Sequence, residues 1–144
     1  MAHSYETADW ADTLGTVPLF AGLSHRHLRA IAKMGKVQVW EERAPIVRRG
    51  DKGDAFYLVL EGAAVVRVPG RRLVKLGVGD YFGELALLDE HPRTATVEAS
   101  TRSMTMRIGQ RDFLRMLQSE PKVALRMART LAARLREAQQ GPTA

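Results

Sequence analysis

The period of apolar and polar positions changes twice along this chain, from helical to alternating and back. Residues 1–16 read as a polar N-terminal extension in which only Trp10 and Leu14 share a helical spacing. Ser24 then stands where an N-cap belongs, with Leu23 before it and Leu28 at the fourth helical position, and Ile31 and Ala32 continue the apolar face. That pattern predicts a helix over 25–34. From Lys36 the period drops to two, with Val37 and Val39 alternating with Gln38 and Trp40 as in a half-buried strand. Further β-type runs follow at 55–62, 63–68, 72–77, 94–100 and 103–108, separated by turn pairs such as Gly50-Asp51, Gly53-Asp54, Glu61-Gly62, Pro69-Gly70 and Gly79-Asp80. Short strands punctuated by glycine turns every ~8 to 12 residues predict an antiparallel sandwich or barrel.

After Gly109 the helical period returns. Asp112 to Leu117 read as one short helix, and Ser119 with Pro121 in the first turn opens a second that runs to about 139. Ala124, Ala128, Leu131, Leu135 and Ala138 form a heptad-like seam along it. Because alanine buries little area, such a seam is more often an intramolecular contact than a dimer interface.

Composition narrows the functional classes. The 144 residues fit one domain, and 45% apolar residues suffice for a core. A formal charge of +6 suits an anionic ligand, but the basic residues are scattered among carboxylates and do not specify nucleic acid. The absence of cysteine excludes disulfides and thiolate chemistry. No apolar run reaches the ~18 residues of a membrane span, and Glu6, Asp9 and Asp12 do not fit a secretory leader, so a cytoplasmic location is expected. His25 and His27 lie two apart, on different faces of a helix, so no metal site is expected. The strands carry no histidine of a metal-binding cupin kind, and no serine or threonine stands in a recognisable triad, so enzymatic activity is not expected.

The chemistry concentrates in FGELALLDEHPRTATV, residues 82–97. Gly83 suits a helix start that a ligand approaches closely, and ELALL, cut off by Asp89-Glu90-His91-Pro92, predicts a single helical turn with unpartnered N–H groups. Arg93, after Pro92 and before the β-type run TATV, supplies a forked cationic donor for a phosphate. Glu84 would repel that anion unless it has another task, and accepting a hydrogen bond from a sugar hydroxyl is one. A phosphorylated ribose would use all three groups.

This stretch closely resembles the phosphate-binding cassette of the cyclic nucleotide-binding domain family, of the catabolite activator protein and protein kinase A regulatory subunit type. The resemblance extends from about residue 19 to 139 and includes GDKGDAFYLVLEGAAVVRV and the VGDYFGE turn. It implies a mainly β fold, an antiparallel, jelly-roll-like β-roll with an N-terminal helix and a C-terminal lid helix. It implies a domain over 17–140, a cassette at 82–97, a lid at 121–139 and a tail at 141–144. Glu84 would then accept the ribose 2′-hydroxyl and Arg93 would pair with the cyclic phosphate. Gly83, Leu85 and Ala86 would offer backbone contacts, and Thr94 would place a hydroxyl near phosphate or base, with Ala95 and Thr96 behind it. Met127, Thr130, Leu131 and Arg134 are the candidate base contacts from the lid. The ligand expected is cAMP rather than cGMP, sensed without catalysis and signalled through the lid to an effector, with a homodimer along that helix as a candidate assembly. The winged helix-turn-helix of the transcription factors has no room here, so direct DNA binding is not expected. Two alternatives stand beside this reading: an interaction or dimerisation scaffold with an unoccupied cassette, and the sensor fragment of a transcription factor.

Overall fold

The structure, a computed structural model, describes residues 10–140, so the expectations placed on residues 1–9 and on the tail 141–144 lie outside it. A short helix α1 (Ala11–Gly15) and a 3-10 turn (Pro18–Phe20) lead into α2 (His25–Met34). The Ser24 hydroxyl accepts the His27 amide at 3.2 Å, so the predicted cap is formed. Leu14 and Phe20 are fully buried, which anchors the segment before α2 to the core.

Eight strands follow: β1 (Gly35–Trp40), β2 (Pro45–Val47), β3 (Ala55–Glu61), β4 (Ala64–Arg67), β5 (Val74–Leu76), β6 (Tyr81–Phe82), β7 (Thr96–Ala99) and β8 (Ser103–Gly109). A one-turn helix α3 (Glu84–Leu88) sits between β6 and β7, and α4 (Gln110–Ser119) and α5 (Pro121–Gln140) close the chain. The strands form two antiparallel four-stranded sheets, ordered β1-β8-β3-β6 and β2-β7-β4-β5.

The expected mainly β, closed roll is therefore corrected. Among the described residues no ladder joins an edge of one sheet to an edge of the other, and helices hold more of the chain than strands do. The fold is mixed α/β, with two open sheets and flanking helices. A physical reason is visible at the edges: β5 and β6 are three and two residues long, too short to carry hydrogen bonding around a corner. After Phe82 the left-handed Gly83 turns the chain into α3 instead.

The central strand β3 explains the layering. Its residues alternate between two cores, so AFYLVL reads as an uninterrupted apolar run rather than an alternating one. Phe56, Leu58 and Leu60 join Met104, Met106 and Ile108 of β8 under the helices, with Phe113, Met116, Val123 and Met127. Ala55, Tyr57 and Val59 face the second sheet and meet Ile46, Ala64, Leu76, Val97 and Ala99. On α5 the buried positions are Val123 and Met127, whereas Ala128, Leu135 and Ala138 of the expected seam are exposed. Val47, Val66, Leu76 and Val97 of the second sheet line the candidate cavity described below.

Candidate functional site

Gly83 shapes the site by having no side chain. Its φ of 94° lies in the left-handed region, and a Cβ there would stand 2.7 Å from Arg93 Nη1 and 2.9 Å from the Ala55 carbonyl oxygen. That vacancy admits the Arg93 guanidinium, which donates from Nη1 to the Gly83 carbonyl at 3.0 Å and from Nη2 to the Ala55 carbonyl at 2.7 Å. The Arg93 backbone is clasped as well: its amide donates to the Asp51 carbonyl and its carbonyl accepts from the Gly50 amide, both at 2.8 Å. Asp54 Oδ1 is 3.9 Å away on a half-open surface, where an ion pair contributes little. Arg93 is buried, and that burial lowers its pKa, with neighbouring acidic groups opposing the shift.

Two of its five N–H donors are thus committed to carbonyls, leaving three for an anion. Gly53 supports the same corner, since only a residue lacking Cβ lets its loop rest against Ala86 of α3.

Glu84, at the first position of α3, is 2% exposed. Burial pushes its carboxyl above the ordinary value of 4.5, opposed by its own backbone amide, by Arg134 and by Arg93. Its Oε1 accepts from Arg134 Nη1 of α5 at 3.0 Å. The same guanidinium lies over the Tyr81 ring, 5.9 Å from its centroid. Glu84 is therefore joined to the last helix by a side chain that is itself 48% exposed.

Glu84 and Arg93 line one cavity of 510 Å³, within the range of small-molecule sites. Val47, Val66, Leu76 and Val97 make its apolar floor, and Gly83, Leu85, Ala86, Thr94 and Ala95 complete the cassette side. Thr96 does not line it; its hydroxyl accepts the Arg49 amide at 3.0 Å and braces the neighbouring loop. Of the four base contacts expected from α5, Arg134 alone reaches this cavity. Met127 is 2% exposed in the helical core, Leu131 packs against the same core, and Thr130 faces a separate cavity.

Sequence reasoning missed Glu137, which stands on the cavity wall three residues after Arg134 and so on the same helix face, as well as Arg71 and Tyr81. The i+3 relation would have found Glu137. Arg71 lies in a loop where no periodicity applies.

Residues 37–120 match the model of the cyclic nucleotide-binding domain family. The chain is 33% identical over 121 residues to a cyclic nucleotide-gated potassium channel of Rhizobium etli, covering 84% of this chain and 34% of that one. Its structure resembles the regulatory domain of Toxoplasma gondii PKA crystallised with cAMP, at a TM-score of 0.74 and 30% identity over 85% of this chain and 49% of that one. It also resembles the regulatory subunit of a cAMP-independent protein kinase A from Trypanosoma brucei, at a TM-score of 0.75 and 28% identity over 89% of this chain and 47% of that one. Among the described residues no helix is long and apolar enough to cross a membrane. With the cassette geometry and the match over 37–120 in agreement, the chain belongs to the cyclic nucleotide-binding domain family.

Proposed function

We propose that this chain is a non-enzymatic receptor module that binds a cyclic nucleotide between the cassette 82–97 and the last helix, and signals by repositioning that helix. The observation that carries this reading is a buried arginine and a buried carboxylate on the wall of one 510 Å³ cavity. Each has chemistry for a different part of a cyclic ribose phosphate. Arg93 pairs with the phosphate through its uncommitted N–H groups. Glu84 accepts the 2′-hydroxyl through the oxygen that Arg134 leaves free. Gly83, Leu85 and Ala86 supply backbone contacts, Thr94 and Ala95 flank the phosphate, and Thr96 braces the loop behind them.

Signalling follows from the Arg134 contact. The carboxylate that holds the sugar is also the one that holds α5, so ligand changes what the helix is attached to and shifts its population toward the form packed over the base. A partner protein or a second subunit along α5 reads the change. The domain limits that go with this reading are 17–140, and the location is the cytoplasm. The preference for cAMP is supported by the Toxoplasma gondii structure, with Thr94 and Glu137 left to discriminate the base. Calorimetric titration with cAMP and cGMP tests the reading: saturable binding with cAMP tighter supports it. No binding of either would leave the cassette as scaffold.

A further inference from the structure

Behind the nucleotide cavity lies a second one, of 360 Å³, between the Pro18–Phe20 turn, the Gly79-Asp80 loop and α5. Its wall is unusually cationic: Arg126, Arg129 and Arg134 all line it, beside Thr130 and Tyr81. The one carboxylate on the wall, Asp80, has its Oδ2 turned onto the Gly77 amide at 2.8 Å. Arg126 uses only Nη1, which donates to the Pro18 and Leu19 carbonyls at 3.3 and 3.1 Å, so its Nε and Nη2 have no partner among the described residues. Arg129 has no hydrogen bond or ion pair among them. The hydroxyl of Tyr81, a residue 8% exposed, makes no hydrogen bond of full geometry and has only the Thr130 hydroxyl close by, which itself donates to the Arg126 carbonyl at 3.1 Å.

Arginines with unused forks beside the Tyr81 and Thr130 hydroxyls are a set of donors that outnumbers its acceptors. We propose that this cavity is a second ligand site, which takes the phosphoryl group of a small soluble molecule. Several acceptor oxygens on one centre suit three arginines and two hydroxyls that line one cavity better than a carboxylate would. The recess under the Pro18–Phe20 turn suits a free phosphate compound. Arg134 and Tyr81 line both cavities, so an anion in the second competes with Glu84 for Arg134 and alters nucleotide binding. This coupling, unlike the site itself, rests on the nucleotide reading above.

Inorganic pyrophosphate, titrated by calorimetry into the nucleotide-free protein, tests the site without any appeal to cyclic nucleotides. Saturable binding is expected, about tenfold weaker in Arg129→Ala, the loss of one charged contact. Arg136→Ala removes the same charge from the same helix outside the cavity and should bind as the wild type does. No saturable binding, or equal weakening in both variants, overturns the site. Retention of binding in Arg93→Ala supports the second cavity over the first; loss there overturns it. For the coupling, the cAMP affinity of the wild type should change at least about threefold in saturating pyrophosphate, and that of Arg129→Ala should not. Pyrophosphate bound with cAMP affinity unchanged overturns the coupling alone.

Discussion

The two ends of the nucleotide cavity are held by different kinds of contact. At the arginine end, the hydrogen bonds that fasten Arg93 all go to main-chain groups: carbonyls of Gly83 and Ala55 on its guanidinium, and the 50–51 loop on its backbone. At the carboxylate end, Glu84 is held by a side chain, Arg134, that reaches in from α5 and remains 48% exposed. Main-chain groups have no rotamers to change, so these contacts move only if the backbone of β3, the 50–51 loop and the Gly83 turn moves. The Glu84–Arg134 pair joins two elements through a guanidinium that is half exposed and can exchange the buried carboxylate for water. On the proposed reading, the difference gives anchoring to one end and switching to the other.

Removing the anchor should have the largest effect. Arg93→Ala is expected to weaken cyclic nucleotide binding by ~2 to 4 kcal/mol, because a buried charged partner of the phosphate is lost. Calorimetry on folded variant protein reads this directly, and unchanged affinity would remove Arg93 from the site. Next comes Gly83→Ala, where the new methyl meets both Arg93 and the Ala55 carbonyl from a left-handed backbone. It should lower stability by ~1 to 3 kcal/mol and binding with it; a Tm equal to wild type would show that the corner is not rigid.

The switching end should respond more mildly. Glu84→Gln is expected to cost about 1.5 kcal/mol for the ribose compound and little for its 2′-deoxy analogue, and equal losses for both would end the ribose role. The same variant has a pH signature. Burial raises the Glu84 pKa, so the folded chain holds that proton more tightly than the unfolded chain does. Without nucleotide, stability therefore falls as pH rises from the ordinary carboxyl value of 4.5 through the raised one. Glu84→Gln should flatten that decline in Tm against pH. The smallest effect is expected for Arg134→Ala, roughly 1 kcal/mol because the guanidinium is half exposed. Its loss should raise amide exchange in the C-terminal half of α5 while leaving β3 protected, and uniform exchange changes would argue against a local switch.

Much of the site was legible because it is local. Gly83, Glu84 and Arg93 fall within eleven consecutive residues, and the roles of glycine, carboxylate and guanidinium follow from side-chain chemistry alone. The Ser24 cap and the helix from Pro121 were legible for the same reason, since caps and period are properties of neighbours in sequence. Short strands were harder: β2 and β6 have three and two residues, too few for an alternation to register. Met127 and Leu131 were named as base contacts because the resemblance implies a lid helix, and an apolar helix face looks alike in sequence whether it covers a ligand or a core.

The sequence by itself thus determined the candidate cassette's set of glycine, carboxylate and arginine and the helices at either end, all of which depend on residues near one another in the chain. Tertiary structure alone decided that the sheets stay open, that β3 serves two cores, and that Arg134 and Glu137 rather than Met127 or Leu131 face the cavity. It also decided that Glu84, fifty residues from Arg134, is bonded to it. Those outcomes depend on where the end of one short strand leaves room beside a distant helix, and local pattern carries no record of that distance.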